Sequence, residues 1–309
     1  MLRDPRFKRI EVSPITGALG ADIRGVDLGA SPDEETFREV KKALDTYHVV
    51  AVRDQHLNPH NYQAMAARFG PFSGNPVHAP MEGLEHIIQF IREPSDTGKV
   101  IGEDWHMDLA WMVKPPGITM LYGEVIPPVG GDTCFTSLVH AYRALSPGMR
   151  ALLHGRMGLH SGKGVFAINA MQSRLGLRKD AANAEETEVE HPLICAHPVT
   201  GERYVFVSSV LRSISGLTED ESRPIIKYLM DVATRPEFHC RIRWESGTLT
   251  MWDNPCVLHT ALNDYSGFRR VTYRTTIEGW APVAAPDTNE AANTPLAALY
   301  KPNTLELAA

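Results

Sequence analysis

The sequence lacks the features of several large functional classes. No apolar run reaches the length of about 20 residues that a membrane-spanning helix needs. No cluster of lysine and arginine stands out, and the net charge is −6. A nucleic-acid-binding protein normally carries a basic patch. We therefore expect no membrane and no nucleic acid among its partners, and a small molecule as its substrate.

Cysteine is scarce, and no pair has the C-x-x-C spacing of a redox or zinc motif. Residues 1–6 include basic side chains but no apolar segment follows them, so we expect no secretory signal. Free thiols and a cytoplasmic location are the simplest prediction. The glycines of segment 10–27 do not have the G-x-G-x-x-G spacing of a dinucleotide site. The four cysteines are Cys134, Cys195, Cys240 and Cys256.

The remaining composition is that of an ordinary globular protein, with 43% hydrophobic and 22% charged residues among 309. A chain of this length can bury a sizeable core. We expect one domain over residues 1–282 and a poorly packed tail over 283–309, where few core residues occur. Segment 179–190, rich in Ala, Asn and Glu, is predicted to be a mobile loop. We also expect a homo-oligomer.

Short strands with turn residues between them dominate the pattern. Helix starts are predicted at Ser31, with Pro32 at the first helical position, at Asn58, and at the capping box that opens with Thr218. Because helices group at the front and in inserts, the pattern does not favour βαβ alternation. We predict a mostly β fold with flanking helices and a jelly-roll, cupin-like core. Strands are predicted at 49–52, 119–124, 133–137, 241–244, 248–252, 256–258 and 270–279.

The triplet His106-Met107-Asp108 is the most informative motif. On an extended strand, residues two apart point to the same face, so the imidazole and the carboxylate would lie together. They are two of the three ligands of a facial non-haem iron site, which leaves positions for a chelating cosubstrate and dioxygen. His259 is the best third ligand of thirteen histidines, because a strand, an Asp-Asn-Pro turn and a second strand return the chain there. Zinc, or a simple surface pair, is the alternative.

The segment 270–277 alternates strictly between two kinds of side chain. We expect its apolar face to pack outward and its polar face to line the interior of the barrel. The two arginines, about 13 Å apart along a strand, suit two anions or two ends of one site. The alternative is a solvated outer face with paired charges. The apolar face has Val271, Tyr273, Thr275 and Ile277, and the polar face has Arg270, Thr272, Arg274 and Thr276.

Together these motifs resemble the taurine dioxygenase family of Fe(II)- and 2-oxoglutarate-dependent dioxygenases. The H-M-D triplet, the distal histidine, and arginines eleven and fifteen residues after it carry the resemblance. It extends from about Ile10 to Gly279, and segment 92–106 is most similar to the branch that oxidises aryloxyalkanoates. The resemblance implies a double-stranded β-helix, Fe(II), 2-oxoglutarate and O2. Further matching stretches are Arg68-Phe69-Gly70-Pro71, Gly130-Gly131-Asp132-Thr133 and His197-Pro198-Val199-Thr200-Gly201.

The resemblance also implies roles for individual residues. His106, Asp108 and His259 would bind iron and form the catalytic centre. Thr133 and Arg270 would hold the distal carboxylate of 2-oxoglutarate, whose keto acid end chelates the metal.

On the substrate side, Arg274 would face the substrate anion and could share contact with 2-oxoglutarate, and the backbone N–H of Leu109 would add a donor. Asn75 and His78 stand at substrate-facing positions where taurine enzymes have a histidine and a tyrosine. Gly102 replaces an asparagine near the taurine amine. A larger or less polar anion than taurine is therefore expected.

The implied reaction is oxidative decarboxylation of 2-oxoglutarate to succinate and CO2, coupled to hydroxylation of a small anionic substrate such as an aryloxyalkanoate or alkylsulfonate. Hydroxylation beside a heteroatom would cleave the bond. An alternative is hydroxylation, desaturation or cyclisation of a carboxylated biosynthetic intermediate, such as an amino-acid derivative. A more remote alternative is a metal-binding cupin without redox activity. Asp108 disfavours a halogenase, which needs that ligand position for chloride.

Overall fold

The computed structural model describes residues 2–163 and 187–286, which fold mainly as β-strands. The strands are β1 (Glu11–Pro14), β2 (Ala21–Arg24), β3 (Val49–Val52), β4 (Ile88–Arg92), β5 (Ile118–Val125), β6 (Thr133–Ser137), β7 (Met157–Ser161), β8 (Glu188–Pro192), β9 (Ile194–Ala196), β10 (Arg203–Val205), β11 (Leu211–Ile214), β12 (His239–Ile242), β13 (Leu249–Asp253), β14 (Val257–Ala261) and β15 (Arg270–Ile277). The helices are α1 (Glu34–Tyr47), α2 (Pro59–Ala67), α3 (Leu138–Ala144), α4 (Pro147–Leu153) and α5 (Glu219–Ala233).

Two sheets form the frame of the site. The larger has the order β1-β2-β3-β13-β5-β15-β4, and the smaller has the order β12-β6-β14. Neighbouring strands are antiparallel except for β2 and β3, which are parallel. Short sheets of β9 with β10, and of β7 with β8 and β11, lie beside this frame. The predicted mostly β jelly-roll with flanking helices is confirmed.

Apolar side chains fill the space between the two sheets and the space under the helices. Phe135 of β6 and Trp252 of β13 meet edge to face between the sheets, with ring centres 5.3 Å apart. Phe37 and Leu44 of α1 pack against strands of the larger sheet. Burial of each such side chain contributes about 1.5–3 kcal/mol. Helices α1 and α2 therefore cover the outer face of the larger sheet and leave its inner face for the site.

The first helix begins later than predicted. Its N-cap is Asp33, whose side chain accepts from the backbone N–H of Thr36, 2.8 Å away. Ser31 has a φ of 53°, in the left-handed region, and so lacks the extended conformation of an N-cap. The prediction of a helix start at Ser31 is wrong, because Ser31 ends a turn in which its backbone N–H donates to the carbonyl of Leu28.

The other two helix starts are confirmed. Asn58 caps α2 through the backbone N–H of Asn61. Thr218 and Glu221 form the predicted capping box at the start of α5. Among the described helices, none is both long and apolar enough to span a bilayer. The four cysteines are free thiols, as predicted.

Parts of two predicted irregular segments are ordered. Of the predicted loop 179–190, residues 179–186 lie outside the described ranges, but Glu188–Glu190 belong to β8, so the loop prediction is wrong there. In the predicted tail, Ala284 forms a bridge with Cys195 of β9, and Ala285 is buried. The chain is therefore packed to at least Ala285, and the remainder of the tail, 287–309, lies outside the described residues.

Candidate active site

Three side chains that could bind one metal ion meet beside the smaller sheet. The Nε2 atoms of His106 and His259 each lie 3.8 Å from Oδ1 of Asp108. One ligand atom from each residue lies within 4.8 Å of the others. Because metal–ligand bonds to such atoms are about 2.0–2.2 Å long, one ion fits between the three. The sequence-predicted ligand set is therefore brought together.

The triplet reaches this geometry without forming a strand. His106 pairs with His259 through two backbone hydrogen bonds of 3.0 and 2.9 Å, but the pairing is an isolated bridge. The chain turns at Asp108 and Leu109, where the φ of Leu109 is 50°. The prediction of an extended strand through the triplet is wrong.

A side chain from elsewhere holds this turn. The Asn254 amide accepts from the backbone N–H of Asp108 and donates to its carbonyl, each at 3.0 Å. It also donates to the carbonyl of Pro116. Sequence reasoning missed Asn254, although its place in the Asp-Asn-Pro turn before His259 was a usable signal.

The charges of the cluster suit a divalent metal. Burial opposes ionisation of Asp108, but the Arg274 guanidinium holds the pKa of that carboxyl well below its usual range. Burial lowers the pKa of His259, and the neighbouring His106 adds to this. The carboxylate is therefore ionised and the His259 ring neutral, as metal ligands must be.

The orientation of the His106 ring is set by its own loop. Its Nδ1 lies 2.7 Å from the carbonyl oxygen of Asp104, so Nδ1–H donates and the Nε2 lone pair points to the cluster. Gly102, with a φ of 81°, lies so close that a Cβ there would be 2.9 Å from Cε1 of His106. Ala261 and Thr260 of β14 bind the carbonyls of Gly102 and Glu103. The glycine lets this loop pack directly on the ring.

A cavity of about 730 Å³ opens beside the cluster, between the two sheets. Arg270, Thr272 and Arg274 of β15 line it, whereas Val271 and Tyr273 pack in the core under the helices. The polar face of β15 therefore lines the interior, as its alternation predicted. The alternative, in which these residues form a solvated outer face, is excluded.

Arg270 is a partly buried cation without a carboxylate partner. No Asp or Glu of the described residues lies within ion-pair distance of its guanidinium, and its Nε has no hydrogen-bond partner among them. Burial lowers the pKa of this guanidinium. Thr133 lines the same cavity. Because a charged group that is partly removed from water, with a buried unpaired Nε, is stabilised by an anion, this corner fits the carboxylate of a ligand such as 2-oxoglutarate.

Two glycines bring Thr133 to this corner. Gly130 and Gly131 have φ values of 76° and 71°. A Cβ on Gly130 would lie 2.5 Å from the carbonyl oxygen of Asp264, and one on Gly131 would lie 3.1 Å from the Tyr265 ring. The Gly-Gly pair of the motif is therefore required for the chain to pass this close to residues 264 and 265.

Arg274 lies between the His-Asp-His cluster and a second, smaller cavity. Its guanidinium forms an ion pair with Oδ1 of Asp108 at 2.9 Å. It lines both the main cavity and one of about 240 Å³. His78 lines the second cavity, and its ring nitrogens are buried without a hydrogen-bond partner among the described residues. Burial, with Arg274, lowers the pKa of His78 to about 4, so the ring is neutral at neutral pH.

The other predicted substrate-facing residues differ in their surroundings. Asn75 also lines the second cavity, but its Oδ1 accepts from the backbone N–H groups of Val77 and His78, at 2.8 Å each. Its oxygen therefore stabilises the turn that presents His78. Leu109 is buried in the core and is not among the residues that line either cavity. A donor role for its backbone N–H stays a prediction.

A jelly roll with a His-Asp-His cluster, beside a cavity lined by arginines, defines the class of non-haem metal dioxygenases. The family model described as "Taurine catabolism dioxygenase TauD, TfdA family" matches residues 11–276. The chain belongs to this family and is an alpha-ketoglutarate-dependent (2-oxoglutarate-dependent) dioxygenase.

Relatives with several functions show similarity over most of the chain. An alpha-ketoglutarate-dependent sulfate ester dioxygenase of Pseudomonas putida is 28% identical, over 90% of this chain and 93% of its own. The alpha-ketoglutarate-dependent 2,4-dichlorophenoxyacetate dioxygenase of Cupriavidus pinatubonensis is 29% identical (87% and 98%). Pentalenolactone F synthase of Streptomyces arenae is 31% identical (81% and 89%). A taurine dioxygenase structure from Burkholderia xenovorans superposes with a TM-score of 0.75 at 32% identity, covering 93% of this chain and all of that one.

Proposed function

We propose that the protein binds Fe(II) through His106, Asp108 and His259 and oxidises a small organic anion with an uncharged tail. Arg270 and Thr133 would hold the distal carboxylate of 2-oxoglutarate. With both bound, the iron centre supplies O2 activation, in which 2-oxoglutarate is converted to succinate and CO2 and a substrate C–H bond is hydroxylated. The protein's part is to anchor two anions and to orient the reacting carbon.

The position of Arg274 is the observation that carries the substrate class. Its guanidinium lies beside the metal ligand Asp108 and faces both cavities. An anionic group bound there would hold the adjoining carbon close to the metal centre. Arginine pairs bidentately with carboxylate, sulfonate and sulfate groups, so any of these would serve.

The cavity walls favour a tail without an ammonium group. Among the described lining residues, Asp104 forms an ion pair with Lys99 at 3.6 Å. Asp96 accepts from the backbone N–H of Glu93, and Asp108 belongs to the metal cluster. Each carboxylate that lines the main cavity therefore already has a partner, which leaves it less available to an amine. Apolar lining residues are Phe90, Ile91, Val100, Ile101 and Leu121.

These features agree with relatives named for sulfate esters and for 2,4-dichlorophenoxyacetate. In both kinds of substrate an oxygen adjoins the carbon to be hydroxylated. The hydroxylated product would therefore break down by cleavage of that C–O bond. Because one relative is named Pentalenolactone F synthase, a carboxylated biosynthetic intermediate is the second candidate for the substrate. A homo-oligomer and a cytoplasmic location stay predictions.

Metal and cosubstrate binding can be tested without substrate. Fe(II) and 2-oxoglutarate, added anaerobically to the protein, should produce a weak visible charge-transfer band. His106→Ala should abolish the band. Absence of the band in the wild-type protein would contradict the proposed function.

The substrate class is tested by succinate release with alkyl sulfates, alkylsulfonates, aryloxyalkanoates, N-acyl amino acids and taurine. We expect kcat/KM for the best anion with an uncharged tail to exceed that for taurine by at least 100-fold. Equal turnover of taurine would refute the uncharged-tail assignment.

Arg274→Ala separates its two possible roles. We expect substrate-dependent succinate release to fall at least 100-fold while the charge-transfer band persists. Loss of the band as well would make Arg274 a cosubstrate anchor.

A further inference from the structure

We infer that Trp244 is a positioning residue for 2-oxoglutarate, because it contacts both side chains that hold the distal carboxylate. Its indole donates to Thr133 and its ring lies against Arg270. The identity of the ligand rests on the proposed function. The role of Trp244 rests on the geometry of these three side chains.

The hydrogen bond fixes the direction of the Thr133 hydroxyl. Nε1 of Trp244 lies 3.0 Å from Oγ1 of Thr133 in a buried contact. An indole N–H can only donate, so the threonine oxygen must accept. The threonine's own hydrogen is then directed away from Trp244. Because Thr133 lines the cavity, this hydrogen is available to a carboxylate bound there.

Strand register places the two side chains together. Thr133 of β6 pairs with Ile242 of β12, and Trp244 follows two residues after it. Trp244 is only 4% exposed, in the core between the two sheets. Its ring therefore has little freedom to move away from Thr133.

The same ring restrains Arg270. The guanidinium carbon lies 5.5 Å from the Trp244 ring centre and 6.0 Å from that of Tyr265. Aromatic faces attract a guanidinium without neutralising it. A carboxylate in their place would compete with the ligand. Arg270 is thus held while its hydrogen-bonding groups stay free for the cosubstrate.

Trp244 also belongs to the core, so the test must separate packing from positioning. Trp244→Phe keeps an aromatic ring against Arg270 but removes the N–H donor. Thr133→Val removes the hydroxyl, and Thr133→Ser keeps it. Trp280→Phe is the matched control, because the Trp280 indole N–H has no hydrogen-bond partner among the described residues and its ring packs on His197.

The measurement is the Kd of 2-oxoglutarate for the Mn(II)-loaded protein by anaerobic calorimetry, which requires no turnover. We expect Trp244→Phe and Thr133→Val each to weaken binding about tenfold. If Trp244 acts through the Thr133 hydroxyl, the double variant should be no weaker than the weaker single variant. Trp280→Phe and Thr133→Ser should bind within twofold of wild type. In steady state, the KM for 2-oxoglutarate should rise while kcat stays within twofold.

The inference would be overturned if Trp244→Phe bound 2-oxoglutarate with wild-type affinity. It would also be overturned if the Kd of the double variant rose by the product of the two single-variant increases. If Trp244→Phe does not fold, the Thr133 pair still decides, since equal affinity of the Val and Ser variants would show that the hydroxyl is not used. Failure of the wild-type protein to bind 2-oxoglutarate would instead contradict the proposed function. The two failures are therefore distinguishable.

Discussion

At the scale of single residues, Gly102 determines how closely its loop approaches the proposed metal ligand His106. An added Cβ would lie 2.9 Å from Cε1 and 3.5 Å from Nε2 of His106, so the ring would have to move. The Asp104 carbonyl binds Nδ1 of the ring, and the backbone of His106 is paired with that of His259. A shift of the ring would therefore displace Nε2 from the position that a metal ion requires.

We predict that Gly102→Ala weakens Mn(II) binding at least tenfold, as measured by calorimetry. Gly98→Ala is the control, because Gly98 also has a positive φ, 92°, but a Cβ there would meet nothing within 4 Å. Both variants bear the same kind of backbone strain. Equal losses in the two variants would attribute the effect to strain alone and refute the contact with His106.

His78 gives a second residue-scale prediction. His78→Phe removes both ring nitrogens and retains an aromatic ring next to Phe90, whose centre is 5.4 Å from that of His78. We expect the KM for the anionic substrate to rise about tenfold and the KM for 2-oxoglutarate to stay unchanged, by steady-state succinate assays. A rise in the KM for 2-oxoglutarate alone would place His78 outside the substrate site.

At the scale of elements, local periodicity predicted which way the side chains of a strand face. The features that the sequence did not predict depend on contacts between residues far apart in the chain. The alternation in 270–277 predicted the facing of Arg270 and Arg274 because a strand in a two-sided barrel imposes a period of two. The same reasoning misplaced the H-M-D triplet as a strand, because Asn254, 146 residues away, stabilises a turn at Asp108. The contact of Arg270 with Trp244 was likewise not predictable from the sequence, because it depends on how the strands pair in the fold.

A buried ion-pair network joins α1, β13 and the β9–β10 turn close to the site. Asp253 lies between His48 and His197, at 3.0 and 3.3 Å, and the other ring nitrogen of His48 lies 3.1 Å from Glu202. His48, Asp253 and Cys256 are close enough to bind a metal, but both His48 nitrogens already contact carboxylates. This cluster is therefore best explained as a charged imidazole that ties the elements together, next to the Asn254 turn.

The network predicts a pH-dependent stability. Burial opposes the charge, but Asp253 and Glu202 raise the pKa of His48 from 6.5 to about 9. Since the folded-state pKa is raised, the contribution is fully present below pH 6.5 and is lost as the pH rises through 9. His48→Asn, which tolerates the left-handed φ of 57°, should remove it.

Urea unfolding between pH 6 and 10 measures this effect. The difference in free energy of unfolding between wild type and His48→Asn should be greatest near pH 6, on the order of 3 kcal/mol, and should shrink by pH 10. A difference that does not change with pH would show that His48 is not charged in the folded protein.

At the scale of the whole molecule, the proposed metal site connects elements that are far apart in sequence. His259 comes from the smaller sheet, and His106 and Asp108 from a loop that bridges to it. Arg274, which contacts Asp108, belongs to the larger sheet. A bound ion would therefore add a further link between this loop and the smaller sheet, which are already joined by backbone hydrogen bonds, and its free energy of binding would be added to that of folding.

Metal removal should consequently lower the thermal stability of the entire domain. At a metal concentration about 100 times Kd, binding contributes about 2.7 kcal/mol, which corresponds to a Tm rise of about 5 °C for a domain of this size. Calorimetric scans with Mn(II) and with chelator should show this difference in the wild type. His106→Ala should show almost none, because two ligands bind the ion far more weakly than three. A shift of equal size in His106→Ala would mean that the stabilising ion binds elsewhere, and the His-Asp-His assignment would then be wrong.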